Sequence, residues 1–105
     1  MDKRGASRPL QEAASHGHED VVKQLLVAGA DVNAVYAYGL TALHWALVEG
    51  HLAAADILAR NGARLDVRDR DGWTPIDIAY LEGYKEFGDL LRGRYREQRD
   101  GAAAQ

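Results

Sequence analysis

Apolar residues run along this chain in short helical stripes, each cut off by a glycine. Leu43, Ala46 and Leu47 fall at i, i+3 and i+4 and stop at Gly50. Ala54, Ile57 and Leu58 make a second stripe that stops at Gly62. Thr41, just ahead of the first stripe, is a good N-cap, since its hydroxyl can accept a backbone N–H of the opening turn. Val21, Val22, Leu25 and Leu26 repeat the second stripe one unit earlier. The pattern predicts pairs of short helices, a glycine turn inside each pair and a loop after it. Helices this short do not hold alone in water. Each apolar face must be covered by the next unit, which makes the fold a stack.

The units share a fixed spacing. Gly17, Gly50 and Gly83 lie 33 residues apart, and Gly29 with Gly62, Gly39 with Gly72 and Thr41 with Thr74 keep that offset. Among 11 glycines some coincidences are expected, but core positions follow the same offset. Leu10, Leu43 and Ile76 correspond, as do Ala13, Ala46 and Ala79, and Leu25, Leu58 and Leu91. Between units lie 30–39 and 63–72, whose partial alternation and closing glycine predict extended, hairpin-like fingers.

Thr41-Ala42-Leu43-His44-Trp45-Ala46 and Thr74-Pro75-Ile76-Asp77-Ile78-Ala79 are joined in this pattern by the turns Gly17-His18 and Gly50-His51. Gly29-Ala30-Asp31-Val32-Asn33-Ala34 opens the first finger. In these motifs, over roughly residues 8 to 93, the chain resembles the ankyrin-repeat proteins. The resemblance implies an all-α solenoid of three helix-turn-helix units, about 8–40, 41–73 and 74–93, joined by β-hairpin-like fingers. A lead-in, 1–7, precedes it, and a charged extension, 94–105, follows. Gly93 and Gly101 predict that this extension frays.

Departures from the pattern point to caps. Unit one has Arg8 and Gln11 where the pattern has a cap threonine and a histidine, and Glu12 where the later units carry Trp45 and Ile78. Unit three has Asp77 in place of His44 and Arg92 in place of Leu26. Polar outer faces of this kind close a solenoid, so the array reads as cap, full repeat and cap. Gly88, where unit one has Val22, leaves a gap, and Phe87 is placed to fill space beside Ala54 and Ala55.

Composition narrows the function classes. A chain of 105 residues is one domain, and 47% hydrophobic with 28% charged residues is ordinary for a soluble globular protein. A formal charge of −3 gives no broad pull toward nucleic acid or anionic lipid. Cysteine is absent, which removes disulfides, thiolate metal sites and thiol nucleophiles. The first residues lead into no apolar stretch, so the expectation is a soluble, cytoplasmic monomer.

Chemistry has little foothold. His16-Gly17-His18 has the look of a metal pair, but His18 matches His51 in the repeat turn and no further ligand cluster accompanies them. His44 beside Thr41 invites a nucleophile–base reading; in ankyrin repeats the two residues instead bond to each other and fix the helix start. No P-loop, Rossmann or nucleophile-elbow glycine pattern occurs. No cofactor, small-molecule substrate or catalytic residue is therefore assigned.

Binding is better supported. Tyr36 and Tyr38 lie in a finger too thin to bury them, and exposed aromatic residues anchor partners at low entropic cost. Trp73, like Leu40, immediately precedes a cap threonine, a position that faces the concave groove in ankyrin proteins. The resemblance lines that groove with Ser15, His16, Val35, Ala37, Val48, Glu49, Arg68, Arg70, Asp71, Leu81 and Glu82. Trp45 reads as a packing residue. Asn33, with Leu25 and Asp31-Val32 before it, resembles the site modified by asparagine hydroxylases, although a turn-stabilising role is the simpler reading. Another protein is thus the expected partner, bound by an adaptor or inhibitor. Two alternatives stay open: nucleic-acid contact through Arg92, Arg94, Tyr95, Arg96 and Arg99, and end-to-end self-association.

Overall fold

The computed structural model describes residues 3–104, with side chains from residue 5 to residue 99. The helices are α1 (Lys3–His16), α2 (Glu19–Val27), α3 (Ala42–Val48), α4 (Leu52–Arg60), α5 (Pro75–Leu81) and α6 (Lys85–Ala104). They pack as the antiparallel pairs α1/α2, α3/α4 and α5/α6. An inner row stacks α1 on α3 and α3 on α5, while α2 rests on α4 behind it. This is the predicted all-α stack of helix pairs.

Local chemistry sets the boundaries. Thr41 and Thr74 each close a capping box, accepting the N–H of the residue three on, whose side chain returns to the cap N–H. Pro75 takes the first helical position, where a missing N–H costs nothing. Gly17 and Gly50 turn the first two pairs with φ of +73° and +80°. They also admit the next repeat: a Cβ at Gly17 would lie 2.5 Å from His51 Nδ1, and one at Gly50 2.6 Å from the Tyr84 hydroxyl. The turns of successive repeats therefore nest in register.

Leu10, Leu43, Leu47, Leu58, Leu91 and Val22 are fully buried. Leu25 and Ile76 are only partly covered, because they lie in the two end repeats, each lacking a neighbour on one side.

Both ends differ from expectation. From Lys3 onward the lead-in is part of α1, with Ala6 and Ser7 buried and Ser7 Oγ accepting the Asp31 N–H at 2.9 Å. Pro9 consequently lies inside a helix and gives up its bond to the carbonyl four residues back. At the other end, α6 continues through Gly93 to Ala104. Two contacts hold it there: Tyr95 packs against the core, and Arg94 Nη2 reaches Asp56 Oδ1 at 3.3 Å. The gap at Gly88 is also filled, though not by Phe87 alone. A Cβ there would meet the Tyr80 ring at 2.9 Å, so the glycine admits Tyr80, whose hydroxyl donates to Asp89.

The fingers carry turns, and no strand is assigned among the described residues. Finger one ends in a 3₁₀ turn, Ala37–Gly39. Finger two is closed where the Asp69 N–H donates to the Trp73 carbonyl at 2.9 Å.

Candidate functional site

The candidate site has two walls, the fingers and the C-terminal ends of the inner helices, and hydrogen bonds of the preceding repeat set the first. His44 is fully buried. Its Nδ1 accepts the Thr41 N–H at 3.1 Å and lies 2.8 Å from Thr41 Oγ1, while Nε2 is 3.0 Å from the Trp73 carbonyl. A carbonyl can only accept, so Nε2 carries the proton and Nδ1 is bare. Burial pulls the His44 pKa below its ordinary value, outweighing the Trp73 carbonyl and Asp69, which act in the other direction. The ring is neutral, and both its nitrogens are occupied with structure.

Gln11 does the same work one repeat earlier. It is buried and donates Nε2 to the Leu40 and Ala34 carbonyls, each at 2.9 Å. Its substitution for histidine therefore does not mark a solvent-facing position; the charge on the outer face is Glu12, which is exposed. Leu40 and Trp73 are thus held through their carbonyls, with Leu40 half-buried and Trp73 43% exposed.

The finger tips form one surface. Tyr38 is 61% exposed and sits at φ +61°, a left-handed conformation a non-glycine residue rarely adopts. Its carbonyl accepts the Arg70 N–H at 2.9 Å, and the Arg70 guanidinium lies 5.5 Å from its ring centroid. Asp69 Oδ1 accepts the N–H groups of Asp71 and Trp73, each at 2.9 Å, and Arg68 Nη1 donates to the Gly72 carbonyl at 3.0 Å. Arg68, Arg70, Asp71 and Trp73 therefore ride on an internally bonded turn that abuts Tyr38. Tyr36 is half-buried, with the Arg8 guanidinium 4.9 Å from its ring centroid; Val35 and Ala37 are exposed.

The second wall is simpler. Val48, Glu49, Leu81 and Glu82 are exposed at the ends of α3 and α5, with Val48 40% and Leu81 61% accessible. In the same row of α1, Ser15 Oγ donates to the Glu12 carbonyl, and His16 Nδ1 lies 2.9 Å from that oxygen. His16 stacks on His18 with centroids 5.8 Å apart.

Trp45 is read from the sequence as a packing residue. It is only half-buried and, with Gln11, Glu12 and Ser15, lines a shallow depression on the inner row. The available signal was an aromatic where the other units carry Glu12 and Ile78. Asn33, by contrast, joins the fingers: its Nδ2 donates to the Gly62 carbonyl at 3.2 Å and its Oδ1 accepts the Arg64 N–H at 2.8 Å. In the tail, Arg94 and Tyr95 turn toward the fold and Arg99 lies 5.6 Å from the Tyr95 ring centroid. Among the described residues no group of three or more His, Cys, Asp or Glu is arranged to hold a metal, and no helix is long and apolar enough to cross a membrane.

A family model described as ankyrin repeats, in three copies, matches residues 9–99. Cyclin-dependent kinase 4 inhibitor B of Homo sapiens is 32% identical over 84% of this chain and 88% of its own length. Potassium channel AKT1 of Arabidopsis thaliana is 33% identical over 83% of this chain, which spans only 10% of that channel. Protein phosphatase 1 regulatory subunit 27 of Mus musculus is 33% identical over 70% of this chain and 47% of its own length.

Proposed function

Because the chain belongs to the ankyrin-repeat family, we propose that it is a protein-interaction module without catalytic activity, a cytoplasmic monomer acting as adaptor or inhibitor. The partner protein is held across the finger tips and the inner-helix ends. Two relatives are named for acting on other proteins, one an inhibitor and one a regulatory subunit, which favours this class of role.

The observation that carries the reading is Tyr38. Its ring is left exposed at a backbone conformation that costs of order 1 kcal/mol. The Arg70 guanidinium over the ring offsets part of that cost, and the side chain still stands exposed to a partner. Beside it, Trp73 and Arg70 are fixed by bonds already made, so docking a partner would order little further chain. Trp, Tyr and Arg are the residue types that most often dominate binding energy.

The test is affinity capture from a lysate, comparing the native chain with a Tyr36→Ala, Tyr38→Ala, Trp73→Ala variant of matched helical circular dichroism. A protein retained by the native chain and lost by the folded variant is the expected result. Equal recovery from both would place binding elsewhere.

A further inference from the structure

Resting on that reading, we propose that the partner presents a basic amphipathic helix, laid along the row formed by Glu12, Trp45, Val48, Glu49, Leu81 and Glu82. Glu49 and Glu82 are the C-caps of α3 and α5, one repeat apart, and each follows an exposed apolar residue. The last carbonyls of a helix carry partial negative charge, so an acidic residue at that end is disfavoured by the chain's own fold. Neither helix has a basic residue in its last turn, and among the described residues no ion pair reaches Glu12, Glu49 or Glu82. Asp56, Asp66 and Asp89 pair with Arg60, Arg64 and Lys85, while Glu49 and Glu82, like Glu19 and Glu86, stand without an ion pair among the described residues. Unneutralised acid at equivalent, unfavourable positions makes a surface complementary to cations.

Spacing selects the partner's shape. The Tyr84 side chain nests under Gly50, so the ends of α3 and α5 lie in register. Packed helices stand ~8–10 Å apart. Residues i and i+7 of an α-helix are ~10.5 Å apart, so apolar side chains at that interval meet Val48 and Leu81 together. Lys or Arg three or four positions on then face Glu49 and Glu82. Arg68 and Arg70 stand at the other end of the inner helices, about one helix length of ~10 Å away. That exceeds the ~8 Å Debye length at physiological salt, so they set the orientation of the partner without cancelling its attraction. Nucleic acid and acidic segments are repelled by the same row.

The experiment selects a random 16-residue peptide library, displayed on phage, against the full chain. Winning peptides are then synthesised and titrated by tryptophan fluorescence at two salt concentrations. Enriched peptides should carry excess Lys and Arg, with apolar residues at intervals of 3–4 and 7, and should bind more weakly as salt rises. Against Glu49→Lys, Glu82→Lys they should lose at least about tenfold in affinity, while that variant unfolds at an equal or higher denaturant concentration. A peptide with its Lys residues changed to Glu should recover binding to the variant. Acidic or neutral winners, the absence of winners, unchanged affinity for the charge-reversed chain, or a less stable variant would each overturn the proposal. Winners weakened by Tyr38→Ala, Trp73→Ala but not by charge reversal would also sink it, while leaving the interaction module in place.

Discussion

His44 links two repeats through one neutral ring, and its replacement separates hydrogen bonding from packing. His44→Ala removes the acceptor of the Thr41 N–H and the donor to the Trp73 carbonyl. The carbonyl keeps its second donor, the Asp69 N–H, but the Thr41 N–H is left in a fully buried position. An orphaned buried donor costs ~1–3 kcal/mol, a lost hydrogen bond ~1, and the space vacated by the ring adds to both. The expected loss is about 3 kcal/mol, a large share of the ~5–15 kcal/mol that holds a domain together. His44→Gln should cost only about 1 kcal/mol. Glutamine at this helix position closes a capping box with threonine, and Gln11 already makes the equivalent bond to the Leu40 carbonyl.

Acid separates the variants further. In the unfolded chain His44 titrates at its ordinary value of 6.5, and burial lowers that value in the folded state. Between the two values the unfolded state binds more protons. Stability from this residue is therefore complete above pH 6.5 and declines as pH falls toward the folded value, by at most ~1.4 kcal/mol per pH unit. Urea titrations of native chain, His44→Ala and His44→Gln at pH 7.5 and 5.5 check both points. His44→Gln should lose less stability on acidification than the native chain does. Equal costs for alanine and glutamine would refute the hydrogen-bond account, and an undiminished acid loss in His44→Gln would refute the assignment of the titration.

Helical glycines in α6 should respond in opposite directions. Gly93→Ala, with nothing within 4 Å of the added carbon, gains about 0.5–1 kcal/mol in urea unfolding from helix propensity. Gly88→Ala drives a carbon to 2.9 Å from the Tyr80 ring and loses about 1–3 kcal/mol despite the same propensity gain. Asn33→Ala breaks the bonds to Gly62 and Arg64 and should cost about 1–2 kcal/mol, with faster amide exchange at Arg64. Truncation after Gly93 removes the Tyr95 packing and the Arg94–Asp56 pair and should lower stability by about 1–2 kcal/mol in the same assay; an unchanged midpoint would mean the extension is not part of the fold.

The helices were legible because their signals are local. A cap threonine, an i, i+3, i+4 stripe and a stopping glycine each act within a few residues, and the repeat offset then fixed which stripes stack. What escaped was decided across repeats. Nothing near Gly93 in the chain shows that Tyr95 will find the core, and nothing near Ser7 shows that its hydroxyl will cap the Asp31 N–H. The fingers misled for a related reason. Their alternation suits a strand, but Asp31 and Asp69 offer side-chain oxygens to nearby N–H groups and hold turns instead.

Gln11 shows why a departure from a repeat pattern is a weak guide to structure. What the stack requires at that position is a buried donor within reach of the next finger's carbonyl, and amide and imidazole both supply one. The candidate binding surface answers to a different rule. Apart from the Arg70 guanidinium over its ring, no hydrogen bond or core contact calls for an aromatic at Tyr38, where glycine would relieve the backbone, and lysine would suit the α3 C-cap better than Glu49. Tyr38, Glu49 and Glu82 are the positions where a side chain suits its own backbone least, and they lie in the two walls of the candidate site.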